Sequence, residues 1–420
     1  MIVLIRAAKI VDPNSKHHNK IADLLIENGI IKAIENRLEA PSNSKIIDQK
    51  GLHIAPGFFD LHANFRDPGL EWKEDIESGI KAAAKGGFTG VLSMPSTTPT
   101  VDNKTQIDYV KKASSDAVVN VYPSGSITKG LKGEELTEMF DMHKTGAVAF
   151  TDDKNSIQHA GIMKLALLYS KNFNGLIMNQ ADDKSISANG HLNEGITSTR
   201  LGLKGMPSLA EELMIDRDIK LAEYTGGRLH LSCISSAKSV ALIRKAKQNG
   251  VAVTADVAIH NLILDETACE DFNPLFKVNP ALRTQDDISA LIEGLKDGTI
   301  DAICTDHIPE DIEHKKVAFD NAEFGMIGLQ TAFSLACLLK EELSLEIIIQ
   351  KMAINPRKIL GINVPEINTN KKANLVIFDP AERWTFKEED IVSKSKNSPF
   401  VNEQMTGKIY AIINNGIITN

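Results

Sequence analysis

Cysteine is scarce in this chain and poorly placed for cross-linking: Cys233, Cys269, Cys304 and Cys337 are widely spaced, with no C-x-x-C pair. That spacing argues against a disulfide framework and against a cysteine zinc site, and it suits a reducing cytoplasm. Long apolar runs are missing too. The apolar start at residues 2–5 is broken by Arg6, Lys9 and Asp12, too short for a signal-peptide core, and no run reaches membrane-spanning length. Blocks of like charge are also absent. The 55 acids and 47 bases are dispersed along 420 residues to a net charge of -8, so neither nucleic acid nor an anionic membrane is an expected partner. What is present is a chain 42% hydrophobic, ample for one large domain with an appendage, and a soluble cytoplasmic protein is the expectation.

Short strand patterns open the chain at residues 2–5, 24–27 and 30–34, the last two joined by the hairpin signal Asn28-Gly29. The C-terminus has the same style, with strand patterns at 375–378, 410–413 and 417–418 around Asn414-Asn415-Gly416. The middle is different. Apolar runs at 58–65, 90–94, 118–122, 147–150, 175–178, 229–231, 251–254 and 302–304 alternate with helical patterns such as 74–85, 134–144, 161–171, 209–223, 237–248 and 288–295. Eight such alternations predict an α/β fold, a (β/α)8 barrel over residues 56–365, with a small β-domain built from residues 1–55 and 366–420. An open doubly wound sheet is the competing architecture. No glycine-rich dinucleotide fingerprint follows the first strand, which counts against it.

The stretch 56–69 reads P-G-F-F-D-L-H-A-N-F-R-D-P-G. In an extended strand Asp60, His62, Asn64 and Arg66 share one face, and a buried polar face needs partners, because each unpaired group costs about 1–3 kcal/mol. A metal or a polar ligand would supply them. Polar residues recur where the other runs end: Ser96, Asp152-Asp153, Gln180, His230 and Asp306-His307. In a barrel those ends converge on the face where active sites form.

These residues carry a resemblance. The stretch His62-Ala63-Asn64 with Arg66-Asp67-Pro68-Gly69 resembles the first barrel strand of the amidohydrolase superfamily, in the multifunctional-complex branch of the dihydroorotases. Ser93-Met94-Pro95, Thr151-Asp152-Asp153, His230-Leu231-Ser232, Asn279-Pro280 with Leu282-Arg283, Thr305-Asp306-His307 and Gly325-Met326-Ile327-Gly328 extend it in order along nearly the whole chain. The resemblance implies a cyclic amidohydrolase of pyrimidine synthesis, acting on dihydroorotate, N-carbamoyl-aspartate or a related ring amide. It implies metal ligands at His62, Asp153, His230 and Asp306, with Asp306 as general base, and substrate contacts at Arg66, Asn279, Ser96 and Glu310.

Four of the family's positions are changed. Asn64 and Gln180 stand where histidines are expected, Ser96 replaces an asparagine, and Glu310 replaces a histidine. Carboxamides are poorer zinc ligands than imidazoles, so the expectation is one weakly held zinc at most, or none, and weak or absent turnover. A carboxylate at Glu310 would oppose an anionic substrate by about 3 kcal/mol at about 6 Å in an effective dielectric near 20. Plainer roles stay open: Asp306 paired with His307 or His230, Arg66 in a strand-end salt bridge, Glu310 solvated. Two alternatives to catalysis on dihydroorotate also stay open, a non-catalytic scaffold docking aspartate carbamoyltransferase and an amidohydrolase with a changed substrate. A homodimer is expected.

Overall fold

A computed structural model describes residues 1–419. Eight parallel strands follow one another round a barrel in chain order: Phe58–Ala63, Phe88–Ser93, Asn120–Gly125, Ala149–Phe150, Leu176–Gln180, Arg228–Ser232, Val253–Ala258 and Ala302–Cys304. Every residue of the first two strands is buried, as strands covered on both faces must be. Two of the helices between them start where a side chain takes free N–H groups of the first turn. Asp75 and Ser78 form a capping box on Ile76–Lys85, and Ser236 caps Ala237–Gln248.

The barrel closes without a regular ladder between its first and eighth strands. Asn64 N–H donates to His307 O (2.9 Å), and His307 N–H donates to His62 O (3.0 Å). Below that bridge the buried Asp60 carboxylate accepts from Thr305 N–H (2.8 Å) and from Thr305 Oγ1 (2.6 Å). Burial pushes the Asp60 pKa up to about 7 against these bonds.

A second sheet unites the two ends of the chain. His53–Pro56 runs parallel to Ile2–Ile10 and antiparallel to Leu375–Thr385, which pairs in turn with Gln404–Asn414. Both hairpin signals are realised as turns with positive φ, at Asn28 (49°) with Gly29 (74°) and at Asn415 (51°) with Gly416 (75°).

The helical pattern expected over 134–144 is shorter in the fold. Helix begins only at Met139, because residues 135–137 pair with the loop at 127–129 instead: Lys129 N–H donates to Glu135 O (2.9 Å), and Thr137 N–H donates to Ile127 O (2.9 Å). The fourth barrel strand is only two residues long, so residues 151–154 already belong to the loop at the barrel's C-terminal end. No helix among the described residues is long and apolar enough to cross a membrane.

Candidate active site

The four polar residues of the first strand and its extension go to four different partners. Asp60 closes the barrel, as above. His62 faces Asp256, its Nε2 3.4 Å from Asp256 Oδ2. Asn64 Oδ1 accepts from Ser96 Oγ (3.1 Å), whose hydroxyl also meets the Asp153 carboxylate. Arg66 reaches Glu310, Nη2 to Oε1 at 2.6 Å. The loop carrying Arg66 lies tight against its neighbour: a Cβ on Gly69 would come within 1.7 Å of Thr98 O.

His62, Asn64, Asp153, Gln180, His230 and Asp306 are all buried; all but His230, in the middle of its strand, lie at or just past the C-terminal ends of their strands. Arg66, Asp153, Cys233 and Asp306 hold left-handed backbone, with φ of 59°, 52°, 50° and 48°. Non-glycine residues pay for that conformation with strain, which clusters where function fixes side-chain direction.

The residue at the middle of this face is Lys154. Its Nζ donates to Asp306 Oδ1 (2.7 Å), Gln180 Oε1 (2.7 Å) and Asn279 O (2.8 Å). Burial works against the ammonium, but Asp306, Cys233 and Asp153 outweigh it and hold its pKa above the usual lysine value. Gln180 suits this arrangement. Its carbonyl accepts from the ammonium while its Nε2 donates to Asn279 O (3.2 Å).

Deeper in the barrel, Asp256 sits between two imidazoles. His230 Nε2 lies 3.0 Å from Asp256 Oδ2, and His230 Nδ1 2.8 Å from Thr254 Oγ1. Burial raises the Asp256 pKa, but His62 and His230 lower it further, to well below the carboxylate range. Burial likewise disfavours a charged His62, yet Cys233, Asp256 and Asp306 raise its pKa to about 10. Neither ring nitrogen of His62 has a hydrogen-bond partner. The sulfurs of Cys233 and Cys304 are 3.7 Å apart beside Asp256, so two cysteines that the sequence separates widely do meet.

The buried side chains could hold a metal in three overlapping groups: His62, His230 and Asp256; His62, Cys233 and Asp306; Cys233, Asp256 and Cys304. Cysteines were not expected among such groups. They belong here because parallel neighbouring strands bring together residues that no local motif links.

Of the plainer roles, Arg66 does form a salt bridge, and Glu310 is buried rather than solvated. Asp306 pairs with Lys154 rather than with a histidine. Lys154, Asp256, Cys233 and Lys73 were missed in the sequence. Lys154 directly follows Thr151-Asp152-Asp153, and Asp256 alternates with Thr254 on a strand; these were the available signals.

A family described as "Dihydro-orotase-like" matches residues 51–239. The chain is 45% identical over 418 residues to a dihydroorotase of Acetivibrio thermocellus, covering 99% of this chain and 98% of that one. It is 43% identical to a dihydroorotase of Geobacter metallireducens over 97% and 96% of the two chains. Among solved structures, the L-hydantoinase (dihydropyrimidinase) from Arthrobacter aurescens superposes with a TM-score of 0.86 at 24% identity, covering 99% of this chain and 95% of that one.

Proposed function

This chain belongs to the dihydroorotase family of the amidohydrolase superfamily, and we propose that it is a dihydroorotase-like protein of pyrimidine synthesis whose turnover of dihydroorotate and N-carbamoyl-aspartate is weak or absent. The observation that carries this reading is the Lys154 ammonium bonded to Asp306, Gln180 and Asn279. A cation already satisfies the carboxylate that would help hold a metal, and a second, divalent cation beside it would meet repulsion in a site with little water to screen it.

The donors do not fit a two-zinc centre. His62 and Asp153 remain for one position, but Asp306 is engaged by Lys154 and Asp153 takes the Ser96 hydroxyl. The other position would rest on Asp153 and His230, whose Nε2 is turned to Asp256. Asn64 and Gln180 offer amides where imidazoles would bind. Any two of the three buried groups that could hold a metal share a residue, so these donors support at most one zinc, weakly held. In this reading Asp306 would move the proton in ring opening, and its ion pair keeps it from that role while Lys154 stays in place.

The test is zinc content by elemental analysis after dialysis against a chelator, together with dihydroorotate hydrolysis. We expect less than one equivalent of zinc, and turnover far below the roughly 1–10³ s⁻¹ of ordinary enzymes. Two equivalents retained with turnover in that range would overturn the reading.

The Glu310–Arg66 pair favours a second reading, a non-catalytic scaffold for aspartate carbamoyltransferase, since a site filled by its own side chains has no need of substrate. Co-elution of the two purified proteins in size exclusion would support it, and separate elution at micromolar concentrations would not.

A further inference from the structure

Arg66 and Lys73 form an anion seat, and the chain fills it itself. Arg66 Nη2 lies 2.6 Å from Glu310 Oε1, and Lys73 Nζ lies 2.5 Å from Glu310 Oε2, so each carboxylate oxygen has its own cation. The carboxylate is buried, with both cations only partly exposed. Glu310 also lines a cleft of about 920 Å³, together with Trp72, Leu275, Ile312, Lys315 and Val401. Glu310, though neither of its cations, therefore borders a space large enough for a small organic anion.

The segment bearing Glu310 is fixed from outside the barrel. Glu310 N–H donates to Asn397 Oδ1 (3.1 Å), and Asn397 Nδ2 donates to Ile308 O (2.9 Å) and Gly325 O (3.2 Å). Two residues earlier, Ser395 Oγ donates to Lys73 O (2.7 Å). One short C-terminal segment thus holds the backbones of both Glu310 and Lys73. A carboxylate held this way has a high effective concentration at the seat, and a free anion must displace it.

We infer that Glu310 is a tethered occupant of an anion-binding seat formed by Arg66 and Lys73, excluding small carboxylates that would otherwise enter from the cleft. The inference rests on the family reading above for the class of anion, a small ring or chain carboxylate. It is independent of whether zinc binds.

The experiment is calorimetric titration of wild type and Glu310→Ala with dihydroorotate and with succinate, both proteins in chelator-treated, metal-free buffer. Truncation is expected to create or tighten binding of at least one carboxylate on the order of ten-fold or more, and Arg66→Gln added to Glu310→Ala is expected to abolish the gain. Glu310→Gln keeps the side chain's size while removing its charge, and serves if the truncated protein does not fold. Folded Glu310 variants that bind neither anion better than wild type would overturn the inference, as would a gain that survives Arg66→Gln. Because metal is excluded throughout, either failure leaves the zinc reading standing, and zinc found in the wild-type protein would leave the seat standing.

Discussion

The Lys154 ammonium and the Asp306 carboxylate meet at 2.7 Å inside the barrel mouth, with Asp306 almost wholly buried. Two charges so placed depend on each other, since either one alone would face a poorly solvating interior. Lys154→Met should accordingly destabilise the fold by about 3–5 kcal/mol. It should also make stability depend on zinc, because a metal bound to the native state alone raises its melting temperature. Thermal melts with and without zinc decide this. The wild type is expected to shift little with the metal, and a Lys154→Met protein that shifts no more would show that the ammonium is not standing in a cation's place.

Asp60 offers a structural prediction. Its carboxylate carries much of the bonding between the first and eighth strands, with two bonds to Thr305 and no exposure to solvent. Asp60→Ala leaves a buried N–H and a buried hydroxyl unpaired, and should cost about 2–4 kcal/mol in denaturant unfolding. A loss below about 1 kcal/mol would mean that the bridge from Ala63 to His307 closes the barrel unaided.

The barrel was legible because its strands are short apolar runs and because polar residues recur at the strand ends. The sheet made from both termini was legible in its Asn-Gly turns, which need positive φ at both central positions. The filling of the site was not. Lys154 has a long flexible side chain, and nothing local says whether it turns to solvent or toward Asp306, 152 residues away. Asp256 and His230 meet only because their strands pair in parallel. Glu310 looks in the sequence like an obstacle to an anionic substrate, because Lys73, the second cation on its carboxylate, lies 237 residues away along the chain.

Lys351 gives a pH dependence far from the site. It is buried, its ammonium donates to Ile300 O, and desolvation lowers its pKa from 10.5 to about 8. Between about pH 8 and 10.5 the unfolded chain binds this proton and the native state does not. Stability contributed by this group therefore rises with pH across that window, and the cost of the buried charge is present in full below it. Lys351→Met should raise the melting temperature relative to wild type at pH 7, by a margin that narrows toward pH 10. A margin that is constant with pH would show that packing, not charge, sets the difference.

Rebuilding the metal centre tests the site as a whole. Asn64→His with Gln180→His returns imidazoles to two strand ends, but Lys154 would still hold Asp306 and would repel a divalent ion close by. The double variant alone is expected to bind little zinc. Adding Lys154→Gly frees Asp306 and removes that charge, so zinc content should rise clearly at this step and not before. Turnover needs more, because Glu310 still sits on Arg66 and Ser96 still ties Asn64 to Asp153. Dihydroorotate hydrolysis should therefore appear only when Glu310→His and Ser96→Asn are added, with gains far from additive because metal and substrate must be placed together. Zinc content and hydrolysis rates along this series separate the two obstacles. Full zinc loading of the Asn64→His, Gln180→His protein with Lys154 intact would refute the role given to the ammonium, and a zinc-loaded, well-folded but inert final variant would place the obstacle to hydrolysis in residues outside this set.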